Sequence, residues 1–234
     1  LQVDFAHTKL FLTHLHGDHS GLTEELTVRG VPVFMNAIDY NYLCQELASG
    51  GWQAMEQIFL SEGFPMEEIE KQKKGNQARL YSPHHPFPAS KVSNSDLLTV
   101  GGITLRCIHT PGHTPGHTCL YIEEKEILFS GDHILFDITP NISVWRNVPY
   151  SLADYLESLQ KIKCLKVSHT FPGHREFHGD IQDRIDALTL HHHARLKEIL
   201  DAIDQHPDCT AYETAGRISW SARGRAWEDF SPNQ

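Results

Sequence analysis

The chain has 234 residues, of which 40% are hydrophobic and 21% are charged, a balance typical of a globular domain with a substantial core. Its formal net charge of -10 disfavours a polyanionic partner, because nucleic-acid-binding surfaces are usually basic. No apolar run reaches the length that spans a bilayer, so we expect no membrane-spanning segment.

Cysteine and histidine are used in different ways. The five cysteines are widely spaced and form no CxxC pair, which predicts neither a disulfide framework nor a cysteine-type zinc site. We therefore expect a reducing, cytoplasmic compartment. The 17 histidines are unusually many, and histidine is a common metal ligand.

Short apolar runs alternate with amphipathic stretches along the chain. Strands are predicted at residues 9–13 and 31–35, in two hairpins at 97–110 and 118–132, and at 164–168. Helices are predicted at 20–30, 37–49, 152–163 and 181–206, and two more at 52–74, broken at residues 63–65. Asn36, Ser151 and Asp180 stand where the N-caps of three helices are expected. This order predicts a layered α/β domain with helices on its outer faces.

The stretch THLHGDHSG, at residues 13–21, immediately follows the first predicted strand. His14 and His16 are two residues apart, so in an extended segment both imidazoles point the same way and reach one ion. Gly17 permits a turn, after which Asp18 and His19 face a second point nearby. This nonapeptide predicts two adjacent, incomplete metal sites.

Three later stretches offer the missing ligands, and each follows a predicted strand. They are HTPGHTPGHT at 109–118, SGDH at 130–133 and FPGHREFH at 171–178. Aligned strands deliver such residues to one edge of a sheet. Nitrogen and carboxylate donors without sulfur suit zinc, and also iron(II), manganese or cobalt.

These motifs carry a resemblance to the metallo-β-lactamase-fold hydrolases, especially to the hydroxyacylglutathione hydrolase branch. HLHGDH, TPGHTPGH, SGDH and PGHR occur in the family's order between Thr13 and His174. The resemblance implies a four-layer αβ/βα sandwich. It also implies N-terminal strands before the first motif, which this chain, beginning 13 residues before His14, is expected to lack.

Carried over residue by residue, the resemblance implies two metal ions, with zinc as the default. The first would be held by His14, His16 and His117, the second by Asp18, His19 and His174, and Asp132 would bridge them. His113 is then expected to be structural. Asp18 and Asp132 are the candidate catalytic carboxylates.

The function expected on this basis is hydrolysis of a small ester, thioester or lactone by a hydroxide that bridges the metals. Two alternatives remain open. One is a metal-dependent endoribonuclease or phosphodiesterase, which the acidic net charge disfavours. The other is a mononuclear iron dioxygenase of the persulfide-oxidising type. The sequence leaves the oligomeric state open.

The expected domain organisation is a catalytic domain at residues 1–207 with a helical insertion at about 52–90. Residues 208–234 resemble the opening of a small winged-helix-like appendage found in some members of the family.

Overall fold

The computed structural model describes residues 3–49, 51–76 and 80–220. In these residues eight strands form two sheets, ordered β1-β2-β3 and β4-β5-β6-β7-β8. The strands are β1 (Leu10–Leu12), β2 (Val33–Asn36), β3 (Ser90–Val92), β4 (Leu97–Val100), β5 (Ile103–His109), β6 (Thr118–Ile122), β7 (Ile127–Gly131) and β8 (His169–Pro172).

Helices flank and connect these strands. They are α1 (Gly17–Ser20), α2 (Thr23–Val28), α3 (Ala37–Ser49), α4 (Gly51–Ser61), α5 (Met66–Gly75), α6 (Ser151–Lys163), α7 (Ile181–Gln205) and α8 (Ala211–Ala215). Among the described residues, no helix is both long enough and apolar enough to cross a membrane.

The two sheets differ in strand direction. The first is parallel throughout, with Leu12 opposite Met35 where β1 pairs with β2. In the second, β4 to β7 run antiparallel, as predicted for the two hairpins. Strand β8 then joins β7 in parallel, with Leu128 opposite Thr170. Helix α6 supplies the crossover that a parallel pair requires.

Within the described ranges, three apolar clusters separate four layers of structure. One packs α3 on the first sheet, through residues such as Leu43 and Met35. The second lies between the sheets, where Val92 meets Cys107. The third packs the second sheet under α6 and α7 and contains Tyr155, among others. This order of layers confirms the predicted four-layer αβ/βα sandwich.

Two of the three predicted helix caps are present. Asn36 Oδ1 accepts a hydrogen bond from the N–H of Ile38 at 2.9 Å, and Asp180 Oδ1 accepts one from the N–H of Gln182 at 2.7 Å. The third prediction is wrong. Helix α6 begins at Ser151 itself, with Tyr150 in the cap position and no side-chain cap.

The insertion and the C-terminal segment contact each other. Rings of Phe64 and Tyr212 lie 4.9 Å apart between centroids, and the Tyr212 N–H donates to the Glu62 carbonyl at 3.1 Å. Residues 221–234 lie outside the described part of the chain, so a winged-helix-like appendage at 208–234 stays a prediction.

Strand ends from both sheets meet at one edge of the sandwich. His14 follows β1, His113 follows β5, Asp132 follows β7 and His174 follows β8. The N–H of Thr118 donates to the carbonyl of Thr13 at 2.8 Å and ties the two sheets together at this edge. The fold therefore gathers the predicted metal-binding motifs in one place.

Candidate metal centre

The first cluster at this edge consists of His14, His16 and His113. Nε2 of His113 lies 3.3 Å from Nε2 of His14, and the His16 ring lies 4.6 Å from the His113 ring between centroids. His14 and His16 lie two residues apart in the segment between β1 and α1, and their rings lie 4.8 Å apart between centroids. Three imidazoles thus converge on one position.

The second cluster consists of Asp18, His19 and His174. Nε2 of His174 lies 3.1 Å from Asp18 Oδ2 and 3.2 Å from His19 Nε2. Asp18 and His19 belong to the short helix α1, and His174 follows β8. The turn expected at Gly17 therefore aims these two side chains at a second position.

Asp132 lies between the two clusters. Its Oδ2 is 3.2 Å from Nε2 of His174, 3.7 Å from that of His113 and 4.0 Å from that of His14. Its Oδ1 is 3.4 Å from Nε2 of His19. One carboxylate therefore faces both groups of nitrogen and oxygen donors, and its bridging of two metal ions stays a prediction.

His117 is the predicted ligand that the structure does not bring into either cluster. Its Nδ1 pairs with the Thr110 hydroxyl at 2.9 Å, and its Nε2 accepts a hydrogen bond from the backbone N–H of Asp132 at 3.2 Å. Both ring nitrogens of His117 are therefore hydrogen-bonded to groups outside the two clusters. His113, which the sequence analysis treats as structural, lies where His117 is expected.

The loop sequence explains this exchange. TPGHTPGH contains two Gly-His steps four residues apart, and their spacing alone does not distinguish them. His117 directly precedes β6, which is buried along its whole length, so its side chain enters the interior. His113 lies in the middle of the loop and reaches the cluster. The continuous apolar run after His117 is the sequence signal that separates the two.

Asp39 fixes the positions of two ligand loops. Its buried carboxylate accepts hydrogen bonds from the N–H of Leu15 at 3.0 Å, the hydroxyl of Thr114 at 2.6 Å and the N–H of Gly116 at 2.5 Å. It thereby joins the loop of His16 to the loop of His113. Nothing in the local sequence identifies this role, because its partners are 24, 75 and 77 residues away.

Trp145 packs against the first cluster. Its indole stacks on the His16 ring, with centroids 5.9 Å apart, and its Nε1–H donates to the His113 carbonyl at 3.2 Å. Nδ1 of His113 pairs with the carbonyl oxygen of Asn141 at 2.6 Å. That bond makes Nδ1 the protonated nitrogen and leaves Nε2 with a lone pair that faces the cluster.

The protonation states follow from burial and neighbouring charge. Burial holds the pKa of His14 well below its ordinary value. Burial, with help from His113, lowers the pKa of His16 to about 3. At His19 burial also disfavours the charged form, but the adjacent Asp132 carboxylate outweighs it and raises the pKa. The first cluster is therefore neutral at physiological pH.

The match to a family model decides the family. The model of the metallo-beta-lactamase superfamily matches residues 8–174, which is most of the chain and includes every donor of both clusters. The chain belongs to the metallo-beta-lactamase superfamily. The hydroxyacylglutathione hydrolase branch is a finer assignment and stays a prediction.

Two curated members of the superfamily are similar to this chain. The beta-lactamase-like protein 2 homolog of Caenorhabditis elegans is 26% identical over 218 residues, covering 92% of this chain and 59% of the relative. An atrochrysone carboxyl ACP thioesterase of Cryptosporiopsis is 25% identical, covering 88% of this chain and 48% of the relative. The chain thus spans about half to three fifths of these relatives.

A solved structure of the superfamily agrees with the fold. A metallo-beta-lactamase family protein from Thermus thermophilus superposes with a TM-score of 0.75 at 29% identity, covering 89% of this chain and 67% of that one.

The donor set of this superfamily member fits divalent cations. Asp132 Oδ1 is buried and has no hydrogen-bond partner among the described residues, and a buried carboxylate oxygen is costly unless it is hydrogen-bonded or coordinates a metal. Neutral imidazoles and carboxylates are ligands for zinc and other divalent ions. The clustered side chains are thus suited to hold metal.

The two clusters differ in how far their side chains are exposed to solvent. The His14 side chain is fully buried, whereas the side chains of His174 and Asp18 are 38% and 59% exposed. The second cluster is therefore the more solvent-exposed part of the centre.

Proposed function

We propose that this protein is a dinuclear metal-dependent hydrolase, with zinc as its metal, that acts on a small ester, thioester or lactone. The first ion is assigned to His14, His16 and His113, the second to Asp18, His19 and His174, and Asp132 faces both. This assignment keeps six of the seven residues expected from the sequence and replaces His117 by His113.

One observation carries the proposal. Oxygens of the Asp132 carboxylate lie within 4.0 Å of histidine nitrogens from both clusters. A single cation would use only one cluster, and the converging donors of the other cluster would have no ion to bind. Two ions that share a carboxylate use every donor, and such pairs lie about 3.5–4 Å apart in dinuclear hydrolases.

When bound, the cations would supply a nucleophile from water at neutral pH and polarise the substrate's carbonyl oxygen. The chain's own residues do the rest. His14 and His16, whose pKa values burial lowers, would hold an ion without adding charge. Asp18 and Asp132 offer carboxylate oxygens that accept a hydrogen bond from the attacking water and orient it. Trp145 and the buried His14 keep bulk water from one side of the centre.

Hydrolysis at such a centre adds water across the acyl bond. For a thioester, the new C–O bond forms as the C–S bond breaks, and the products are a carboxylic acid and a thiol. The name of the thioesterase relative supports this class of substrate. The net charge of -10 weighs against RNA, whose binding needs a basic surface.

The first experiment is elemental analysis of protein purified without added metal. We expect about two zinc ions per chain, and a sharp loss in an Asp132→Ala variant that remains folded by circular dichroism. Asp186→Ala, an exposed aspartate on α7, is the matched control and should keep its metal.

A substrate panel then tests the reaction. Esters, thioesters, lactones and a single-stranded RNA are offered to the metal-loaded protein, and turnover of the acyl substrates alone is expected. One iron per chain would instead favour an oxygenase, and cleavage of RNA alone would favour the nuclease. Well-folded wild-type protein with no stoichiometric metal would overturn the proposal.

A further inference from the structure

An apolar cavity of about 790 Å³ lies beside the metal centre, between residues 142–150 and the first turns of α6. Its apolar walls include Ile142, Val144, Val148, Leu152, Leu156 and Leu196. Among the described residues that line it, none is charged. Its volume falls in the range of about 300–1,000 Å³ that is usual for small-molecule sites.

Trp145 is the wall that the cavity shares with the metal centre. It lines the cavity, and its indole lies 5.9 Å from the His16 ring between centroids. Asn141, whose carbonyl pairs with His113 Nδ1, directly precedes the lining residue Ile142. Only the Trp145 indole therefore separates a molecule in the cavity from His16, and the segment that carries Asn141 connects the cavity wall to His113.

One polar group in the cavity wall has no partner. The Ser151 side chain lines the cavity, the residue is 9% exposed, and no described residue hydrogen-bonds to its Oγ. It does not cap helix α6, which would have satisfied it. A buried hydroxyl without a partner is unfavourable, and an oxygen atom of a bound molecule would satisfy it.

We propose that this cavity binds the apolar acyl group of a thioester substrate, and that Ser151 hydrogen-bonds to a hydroxyl or keto oxygen on that group. This inference rests on the proposed function, because it places the scissile carbonyl at the metal centre beyond Trp145. The uncharged lining excludes a polyanionic chain from this position, since nothing there would balance its charge.

The first test measures binding without hydrolysis. Isothermal titration calorimetry on the metal-loaded protein compares acetate, butyrate, hexanoate and octanoate. Each methylene that enters the cavity should tighten binding about fourfold, because burying a methylene group removes apolar surface from water. The dissociation constant should therefore fall steadily with chain length.

A pair of variants localises this dependence. Ala153→Phe fills the cavity from an exposed position on its wall. Gln160→Phe places the same ring two turns further along the same stripe of α6, outside the cavity. Ala153→Phe should abolish the dependence on chain length, and Gln160→Phe should keep it.

The second test concerns Ser151 and uses hydrolysis rates. Octanoyl thioesters of N-acetylcysteamine carrying a hydroxyl at carbon 3, 5 or 7 are compared with the unsubstituted octanoyl thioester. At least one should be preferred in kcat/KM, and Ser151→Ala should reduce that preference about tenfold, as expected for one lost hydrogen bond. The free energy of unfolding should not fall, because Ser151→Ala removes no internal hydrogen bond and takes away a buried hydroxyl that has no partner among the described residues.

The outcomes separate this inference from the proposed function. Chain-length-dependent binding that Ala153→Phe abolishes, without hydrolysis of any ester, thioester or lactone, would keep the cavity as an acyl-binding site and overturn the hydrolase. Hydrolysis with equal rates for acetyl and octanoyl thioesters, and no dependence of binding on chain length, would overturn the cavity assignment alone. A cavity filled by another protein segment or a second copy would give that second result.

Discussion

The backbone N–H of Asp132 donates a hydrogen bond to Nε2 of His117 at 3.2 Å. That nitrogen is therefore directed at the backbone of the carboxylate that faces both clusters, while the His113 ring lies beside the carboxylate itself. His117 is thus hydrogen-bonded to the backbone of Asp132, whereas His113 lies next to the Asp132 carboxylate. Their roles separate in experiment.

Matched alanine substitutions distinguish these two histidines. His113→Ala should lose metal from the first site, because it removes one of three converging imidazoles. His117→Ala should keep the metal stoichiometry in its folded fraction but lower the free energy of unfolding by about 3 kcal/mol, since it leaves a cavity and breaks buried hydrogen bonds. Elemental analysis and urea denaturation measure the two effects. The opposite pattern would restore His117 as the ligand.

Asp39→Asn should weaken metal binding without touching a ligand. The amide that replaces one carboxylate oxygen cannot accept all three hydrogen bonds from Leu15, Thr114 and Gly116. We expect a loss of about 2–3 kcal/mol in the free energy of unfolding and a metal affinity about 10–100-fold lower.

Competition with a chromophoric chelator measures the affinity of the Asp39 variant. Asp201→Asn, at an exposed position on α7, is the control and should match the wild type. Unchanged affinity in the Asp39 variant would mean that the loops hold their geometry without it.

Metal-free protein should lose stability as the pH falls below about 6.5. Burial lowers the pKa of His16 from 6.5 to about 3, so the unfolded chain takes up a proton there that the folded chain refuses. His16 makes its full contribution to the free energy of unfolding above pH 6.5, and this contribution is lost as the pH falls toward 3. The expected loss is about 1.4 kcal/mol per pH unit within that window.

Urea denaturation of chelator-treated protein at pH 7, 6 and 5 checks this dependence. His16→Gln removes the titrating group. The number of protons taken up on unfolding should fall by about one, and the free energy of unfolding should then depend less steeply on pH. If the variant and the wild type have the same slope, the buried imidazole does not account for the acid sensitivity.

Alanine substitution at two glycines with positive φ distinguishes the cost of backbone strain from the cost of a steric clash. At Gly112, with φ +136, an added Cβ would lie 2.4 Å from Tyr155 Cβ, whereas at Gly102, with φ +79, it would meet open space. Gly102→Ala should cost about 1 kcal/mol from strain. Gly112→Ala should cost several times more, about 3 kcal/mol or above, because α6 must also move.

Chemical denaturation of the two glycine variants gives the comparison. Equal losses would mean that Tyr155 and α6 shift at little cost and that the loop of His113 is not held by close packing.

The sequence predicted the fold and also most of the side chains that lie together at the candidate centre, because both follow from local patterns. Apolar runs specify the strands, and the proposed ligands stand one to seven residues beyond strand ends, as Asp132 and His19 do. Asn36 and Asp180 cap their helices as their positions indicate. These features need no knowledge of distant contacts.

What the sequence missed depends on contacts between distant segments. Asp39 and Trp145 position ligands through partners 24 to 77 and 32 residues away, and no spacing rule identifies them. His113 and His117 differ in the partners that hold their rings, because Nδ1 of His113 pairs with the carbonyl of Asn141, 28 residues away, whereas Nδ1 of His117 pairs with the Thr110 hydroxyl. Ser151 has a typical cap sequence around it, yet the helix includes it.

The donors come from both halves of the sandwich. His14 to His19 follow the parallel sheet, whereas His113, Asp132 and His174 follow strands of the other sheet. A cation held by both sets is a cross-link between the sheets, because neither sheet alone supplies a complete set of ligands. Its binding free energy therefore adds to the free energy that holds the sheets together. Chelation should loosen the seam between the sheets before either sheet melts, and hydrogen exchange at Thr118, whose N–H bridges that seam, would be among the first to accelerate.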